Sequence, residues 1–213
     1  MSRPLSIAIV GIDGSGKTTQ AKRLADWLRA EGVPARYFEN PGGRPVTDWV
    51  ARRLRRADTA ALLGEHGRLA VETAVRAIAL GRTAAWSRAT GQVAVMDRCA
   101  PCQYALVHAR GLPGERVVRA VLGPLGLPDL LIQLVVDEAA AQDRIELRGY
   151  DREHLHDLQA FAAAYRALPE HTRFVLVDGN GPADEVQRRL RAEVVRQQPG
   201  LARSVDGGRR EAA

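Results

Sequence analysis

Gly11-Ile12-Asp13-Gly14-Ser15-Gly16-Lys17-Thr18 fits the pattern G-x-x-x-x-G-K-[ST]. The chemistry explains the spacing. Glycines permit the backbone angles that turn successive N–H groups inward around a phosphate. Lys17 stands where it neutralises β- and γ-phosphates, and Thr18 where its hydroxyl reaches Mg²⁺. A helix beginning there aims its positive dipole end at the anion. The expected ATP and phosphate contacts are therefore Gly11, Asp13, Gly14, Ser15, Gly16, Lys17, Thr18 and Thr19. A second site lies at Val95-Met96-Asp97-Arg98. A carboxylate at the C-terminal end of a strand in a parallel sheet faces the ligand edge. Asp97 is placed to hold Mg²⁺ with Thr18, and Arg98 to grip a phosphate. A third group is Arg148-Gly149-Tyr150-Asp151-Arg152-Glu153, with Arg144 one helical turn upstream. It reads as a lid carrying arginines. Phosphoryl transfer needs positive charge on the moving group, so Arg148 and Arg152 join Lys17 and Asp97 as expected catalytic residues, with Arg144 third.

The elements that must position these residues follow from hydrophobic pattern and breakers. Leu5 to Val10 is a short β-rich run ended by Gly11. Ala21, Leu24, Ala25 and Leu28 fall at helical spacing, and Gly32 stops that helix. Ala35 to Phe38 is a second strand, ended by Asn40-Pro41-Gly42-Gly43. Val46 to Leu54 and Leu69 to Thr90 read as helices. Val93 to Met96 is a strand ending at Asp97, and helical segments run on to Leu122. Leu130 to Val136 is a strand, then Glu138 to Leu147 and Leu158 to Leu168 are helices. Phe174 to Val177 is the last strand and Asp184 to Gln197 the last helix. Strands alternating with helices predict an α/β fold: three layers, α/β/α, around a parallel sheet of about five strands. Residues 1–198 are read as one phosphate-loop kinase domain with a lid at 148–156, and 199–213 as a disordered tail.

Composition sets the outer bounds. The chain has 213 residues, 46% hydrophobic and 26% charged, an ordinary globular mix. No apolar run approaches the ~20 residues of a membrane span. The first apolar stretch is too short for a signal peptide and runs into glycine. A cytoplasmic location is expected, and two cysteines suit a reducing compartment. Net charge is +6, but the basic residues are scattered and alternate with no aromatics. Of the 31 basic residues only Lys17 and Lys22 are lysines, which leaves 29 arginines. Anionic nucleotides need arginine too, so nucleic acid is not the expected ligand. Cys99-Ala100-Pro101-Cys102 is a C-x-x-C at a helix start, but it has no second pair for zinc and no thioredoxin-like context. It reads as pocket lining. His154-x-His156 reads as a polar lid, not a metal site.

These motifs together resemble the thymidylate kinase family of nucleoside monophosphate kinases, over about residues 5 to 195. The family's phosphate loop, G-x-D/E-G-x-G-K-T-T, is matched by Gly11 to Thr19 with Asp13 in the acidic slot. Its proline–glycine loop is matched by Pro41-Gly42-Gly43, and its A-x-R by Ala74-Val75-Arg76. Its D-R is Asp97-Arg98, its P-D is Pro128-Asp129, and its R-G lid start is Arg148-Gly149. The resemblance implies ATP and Mg²⁺ as cofactors, a nucleoside monophosphate as acceptor, and a homodimer packed through helices such as Leu69 to Thr90. The phosphate loop has no arginine of its own, so the chain resembles the family's variant in which the lid supplies it. The implied acceptor contacts are Asp13, Arg44, Glu72, Arg76, Arg98 and Gln103.

Several positions depart from the family pattern. The family's R-E-P-G-G is here Glu39-Asn40-Pro41-Gly42-Gly43, with Arg44 restoring a positive charge. The base-stacking Phe falls on Glu72. The aromatic after D-R is Cys99, and S-x-x-A-Y-Q becomes Cys102 to Val107. The phosphate machinery is kept while the base-facing groups change, so the acceptor is dTMP or a related nucleotide. The alternative is a deoxynucleoside-kinase-type enzyme with Glu39 as base for a 5′-hydroxyl. A third reading is a non-catalytic nucleotide-binding protein.

Overall fold

Strand β1 (Ser6–Val10) divides the protein into two cores. Successive strand side chains point to opposite faces. Ile7 and Ile9 therefore pack on one side of the sheet with Leu24 and Leu28, and Ala8 and Val10 on the other with Met96 and Leu131. A strand buried on both faces reads as a continuous apolar run, as expected of a parallel sheet covered by helices.

The computed structural model describes residues 4–41, 59–149 and 154–201. Beyond β1 the strands are β2 (Ala35–Glu39), β3 (Val93–Asp97), β4 (Leu130–Val135) and β5 (Phe174–Asp178). All pair in parallel, in the order β2-β3-β1-β4-β5. The described helices are α1 (Lys17–Ala30), α2 (Thr59–Thr90), α3 (Ala100–Ala109), α4 (Glu115–Leu122), α5 (Glu138–Arg148), α6 (Leu155–Ala167) and α7 (Ala183–Gln197). Helices α1 and α7 cover one face of the sheet, through Ala21, Leu24, Val186 and Leu190. Helices α2 to α6 supply the other, through Leu80, Leu106, Leu122, Ile145 and Tyr165. The α/β class and the five-stranded parallel sheet agree with the sequence reading.

The differences are local. Helical backbone begins at Thr59, before the helix expected over 69–90, and the two helical segments meet at a kink at Gly64 (φ 71°, ψ 171°). The helix expected from Leu158 begins at Leu155. Strand β2 extends one residue to Glu39 because Glu39 pairs with Asp97, and β5 extends to Asp178 because it pairs with Val135. The helix expected at 46–54, Arg44, Arg152 and residues 202–213 of the expected tail lie outside the described residues.

Candidate active site

The switch in strand order around β1 opens a crevice at the carboxyl ends of β1, β3 and β4, where ligands of open α/β sheets bind. The loop from Gly11 to Gly16 turns there. Gly16, at φ 87°, is the N-cap of α1 and adopts the left-handed conformation that costs glycine nothing. Gly14, at φ 79°, has a second constraint: a Cβ would stand 2.3 Å from the Ala141 carbonyl oxygen of α5. Lys17 is only 4% exposed. Its Nζ donates to the Ile12 carbonyl at 3.0 Å and to Asp13 Oδ1 at 2.6 Å. Burial lowers the Lys17 pKa, and the Arg98 charge adds to this.

Asp13 is the meeting point of two elements. The same Oδ1 that accepts from Lys17 accepts from the Arg98 guanidinium at 2.7 Å. Burial opposes the Asp13 charge, but Lys17 and Arg98 outweigh it and hold the carboxyl well below the ordinary carboxylate range. Asp97, at the end of β3 and 2% exposed, accepts a hydrogen bond from Thr18 Oγ1 on Oδ2. Its Oδ1 is buried with no hydrogen-bond partner among the described residues. A carboxylate oxygen left open beside a hydroxyl oxygen suits a hard divalent cation, so these residues fit Mg²⁺.

Arg98 is the one described non-glycine residue in the left-handed region, at φ 74°. Strain of this kind persists only where surroundings impose it. Arg98 N–H donates to the Ile9 carbonyl at 3.1 Å, and Asn40 Nδ2 donates to the Arg98 carbonyl at 2.9 Å. Asn40 has no exposed surface and uses every polar group it has. Its N–H donates to the Asp97 carbonyl, its carbonyl accepts from Arg76 Nη1 at 2.9 Å, and its Oδ1 accepts from Thr83 Oγ1 at 3.4 Å. Arg76 Nε also donates to Gln103 Oε1 at 3.0 Å. Gln103 Nε2 is buried without a partner among the described residues. Glu72 is buried one turn before Arg76, its Oε1 4.0 Å from Arg68 Nε. The structure thus brings Asp13, Arg76, Arg98 and Gln103 into one linked arrangement. Asn40 was not recognised in the sequence, where only its turn-forming character showed.

Cys99 and Cys102 are buried free thiols at the N-terminus of α3. Burial would push the Cys102 thiol up, but the Cys99 hydrogen bond and the Arg76 and Arg98 charges hold it down to about 5. On the other side of the phosphate loop, Arg144 is anchored. It donates to the carbonyls of Gly14 (3.5 Å), Gly179 (3.3 Å) and Gly181 (3.5 Å). Arg148 ends α5, exposed, and lines the same cleft as Gly16 and Thr19. Glu39 is exposed at the end of β2.

A glycine loop between strand and helix, a buried lysine, and an Asp–Arg pair on the adjacent strand define a phosphate-loop nucleotide kinase. The family comparison makes this specific. The sequence model of the thymidylate kinase family, described as "Thymidylate kinase", matches residues 9–190. The chain is 30% identical over 198 residues to a thymidylate kinase of Chromohalobacter salexigens, covering 88% of this chain and 93% of that protein. It is 32% identical over 201 residues to one of Xanthomonas euvesicatoria (90% and 83%) and 31% over 200 residues to one of Halorhodospira halophila (88% and 92%). The chain belongs to the thymidylate kinase family, and is an ATP-dependent nucleoside monophosphate kinase. The alternative with Glu39 as a nucleoside base is not favoured.

Proposed function

We propose that the chain transfers the γ-phosphoryl group of ATP to the 5′-phosphate of dTMP, giving dTDP, with Mg²⁺ as cofactor. The relatives' names support the acceptor. The observation that carries the reading is the single Asp13 oxygen that holds both Lys17 and Arg98. It joins the phosphate-donor loop to the arginine of the neighbouring strand, so donor and acceptor phosphates are held edge to edge.

An acceptor phosphate is already an anionic nucleophile and needs positioning more than a base. Arg98, held in its left-handed conformation, takes the acceptor phosphate. Asp13 takes the acceptor sugar hydroxyl and keeps Lys17 pointed along the loop. Lys17 and the N–H groups of Gly14, Ser15 and Gly16 hold the donor phosphates. Thr18 and Asp97 would hold Mg²⁺, which would supply charge neutralisation to the donor phosphates. Gln103 Nε2 donates to the acceptor base, Arg76 fixes Gln103, and Glu72 and Arg44 complete the acceptor pocket. Arg148 and Arg152 close over the γ-phosphoryl group and exclude water, which would otherwise take the phosphoryl group itself. The protein works in the cytoplasm as a homodimer. Exposed Ile78 on α2 and Val117 and Val121 on α4 supply apolar surface for that contact.

Replacing Lys17 by Ala tests the site. Loss of one preorganised donor to a developing charge costs about 10²–10³ in kcat. The variant is expected to lose that much with an unchanged far-UV circular dichroism spectrum. A folded variant with turnover close to the parent would overturn the assignment.

A further inference from the structure

We propose that Cys99 and Cys102 form a modification site, a dithiol that a hydroperoxide closes to a disulfide, and that closure weakens the acceptor site. The two residues are reciprocally bonded at the start of α3. The Cys99 side chain accepts from the N–H of Cys102, and Cys102 Sγ accepts from the N–H of Cys99 at 3.5 Å. The Cα atoms of residues three apart on a helical turn stand about 5 Å apart, within the ~4.4–6.8 Å that a disulfide spans between Cα atoms. Burial does not seal Cys99. Cys99 forms part of the wall of a cavity lined by Leu80, Ala84, Met96, Ala100 and Leu125. The cavity has a volume of about 60 Å³, and the exposed residues Arg88 and Gly126 also line it. A small neutral oxidant enters such a space; a charged, bulky one does not.

The chemistry closes without any further reactant. The first sulfur attacks the O–O bond, its thiol proton leaves with the departing oxygen as water (as the alcohol, for an organic hydroperoxide), and the sulfur becomes a sulfenic acid. The second sulfur attacks the first, the sulfenic oxygen leaves as water with the second thiol proton, and the S–S bond forms. Two thiols are oxidised by two electrons and one hydroperoxide is reduced.

The position of the pair gives closure its effect. Cys99 directly follows Arg98, and Cys102 directly precedes Gln103, which accepts from Arg76. Drawing the sulfurs together takes both off the N–H groups they now accept from. The turn that carries Arg98 and Gln103 then loses two of its constraints.

The test treats the full chain with hydrogen peroxide and reads intact mass, a peptide map and steady-state kinetics. The expected result is a mass lower by two hydrogens and a peptide linking Cys99 to Cys102. KM for dTMP should rise about three- to tenfold, the equivalent of one or two lost hydrogen bonds, with KM for ATP unchanged. Dithiothreitol should restore the parent values, and Cys99→Ser and Cys102→Ser should each abolish both the link and the shift. Added oxygen without the link overturns the proposal, and so does a link that leaves KM for dTMP unmoved. The consequence for the acceptor rests on the function proposed above. If reduced protein fails to use dTMP, that function fails, and the mass and peptide map still decide the disulfide.

Discussion

Asn40 makes four hydrogen bonds from a fully buried position, and two of them fix the arginines of the acceptor side. Its side-chain amide donates to the Arg98 carbonyl and accepts from Thr83, while its backbone carbonyl accepts from Arg76. Asn40→Ala is expected to cost about 1–3 kcal/mol of stability, because it leaves buried groups unpaired. It should also raise KM for the acceptor and leave KM for ATP alone, since the phosphate loop does not touch Asn40. Thermal unfolding and two-substrate kinetics check this; an unchanged acceptor KM would contradict it. The residues that read clearly in the sequence are those whose chemistry is local. Gly11 to Thr18 state their role in eight consecutive positions. Asn40, Arg76 and Gln103 act through partners 36 and 27 positions away, and nothing near them in the chain points to those partners.

At the scale of elements, the phosphate loop is shaped as much by α5 as by its own glycines. The Ala141 carbonyl closes the space beside Gly14, and Arg144 on the same helix holds the Gly14 carbonyl. Gly14→Ala would face both a left-handed φ and a contact with rigid backbone. It is expected to lower stability by about 1–3 kcal/mol and to weaken ATP binding. Calorimetric titration with ATP–Mg²⁺ checks this, and parental affinity would contradict it. Strands were legible to within a residue because apolar runs and breakers mark them. Their acidic ends, Glu39 and Asp178, were missed because pairing with a neighbouring strand decides them. The helical backbone before Leu69 was not read from the sequence; it is joined to the rest of α2 through a kink at Gly64, where the angles are not helical.

Across the whole molecule, the strand order β2-β3-β1-β4-β5 sets the phosphate loop between Asp97 on one side and the Gly179–Gly181 turn on the other. Arg144 ties that turn to the loop. The parallel sheet was foreseeable because alternating strands and helices allow little else, but the order of strands was not, since local pattern carries no register. Ile78, Val117 and Val121, three of the apolar side chains left outside the cores, are the surface assigned to the proposed dimer. Light scattering should give twice the chain mass of 23.2 kDa. Val117→Arg should shift it to the monomer; a monomeric parent would contradict the dimer.

The central claim is that an acceptor phosphate, not a hydroxyl, receives the phosphoryl group. The direct measurement is ADP release from ATP–Mg²⁺ against paired nucleosides and their 5′-monophosphates, thymidine and dTMP among them. Release with dTMP and none above background with thymidine is expected. Release with nucleosides alone would contradict it, and would return Glu39 to the role of general base.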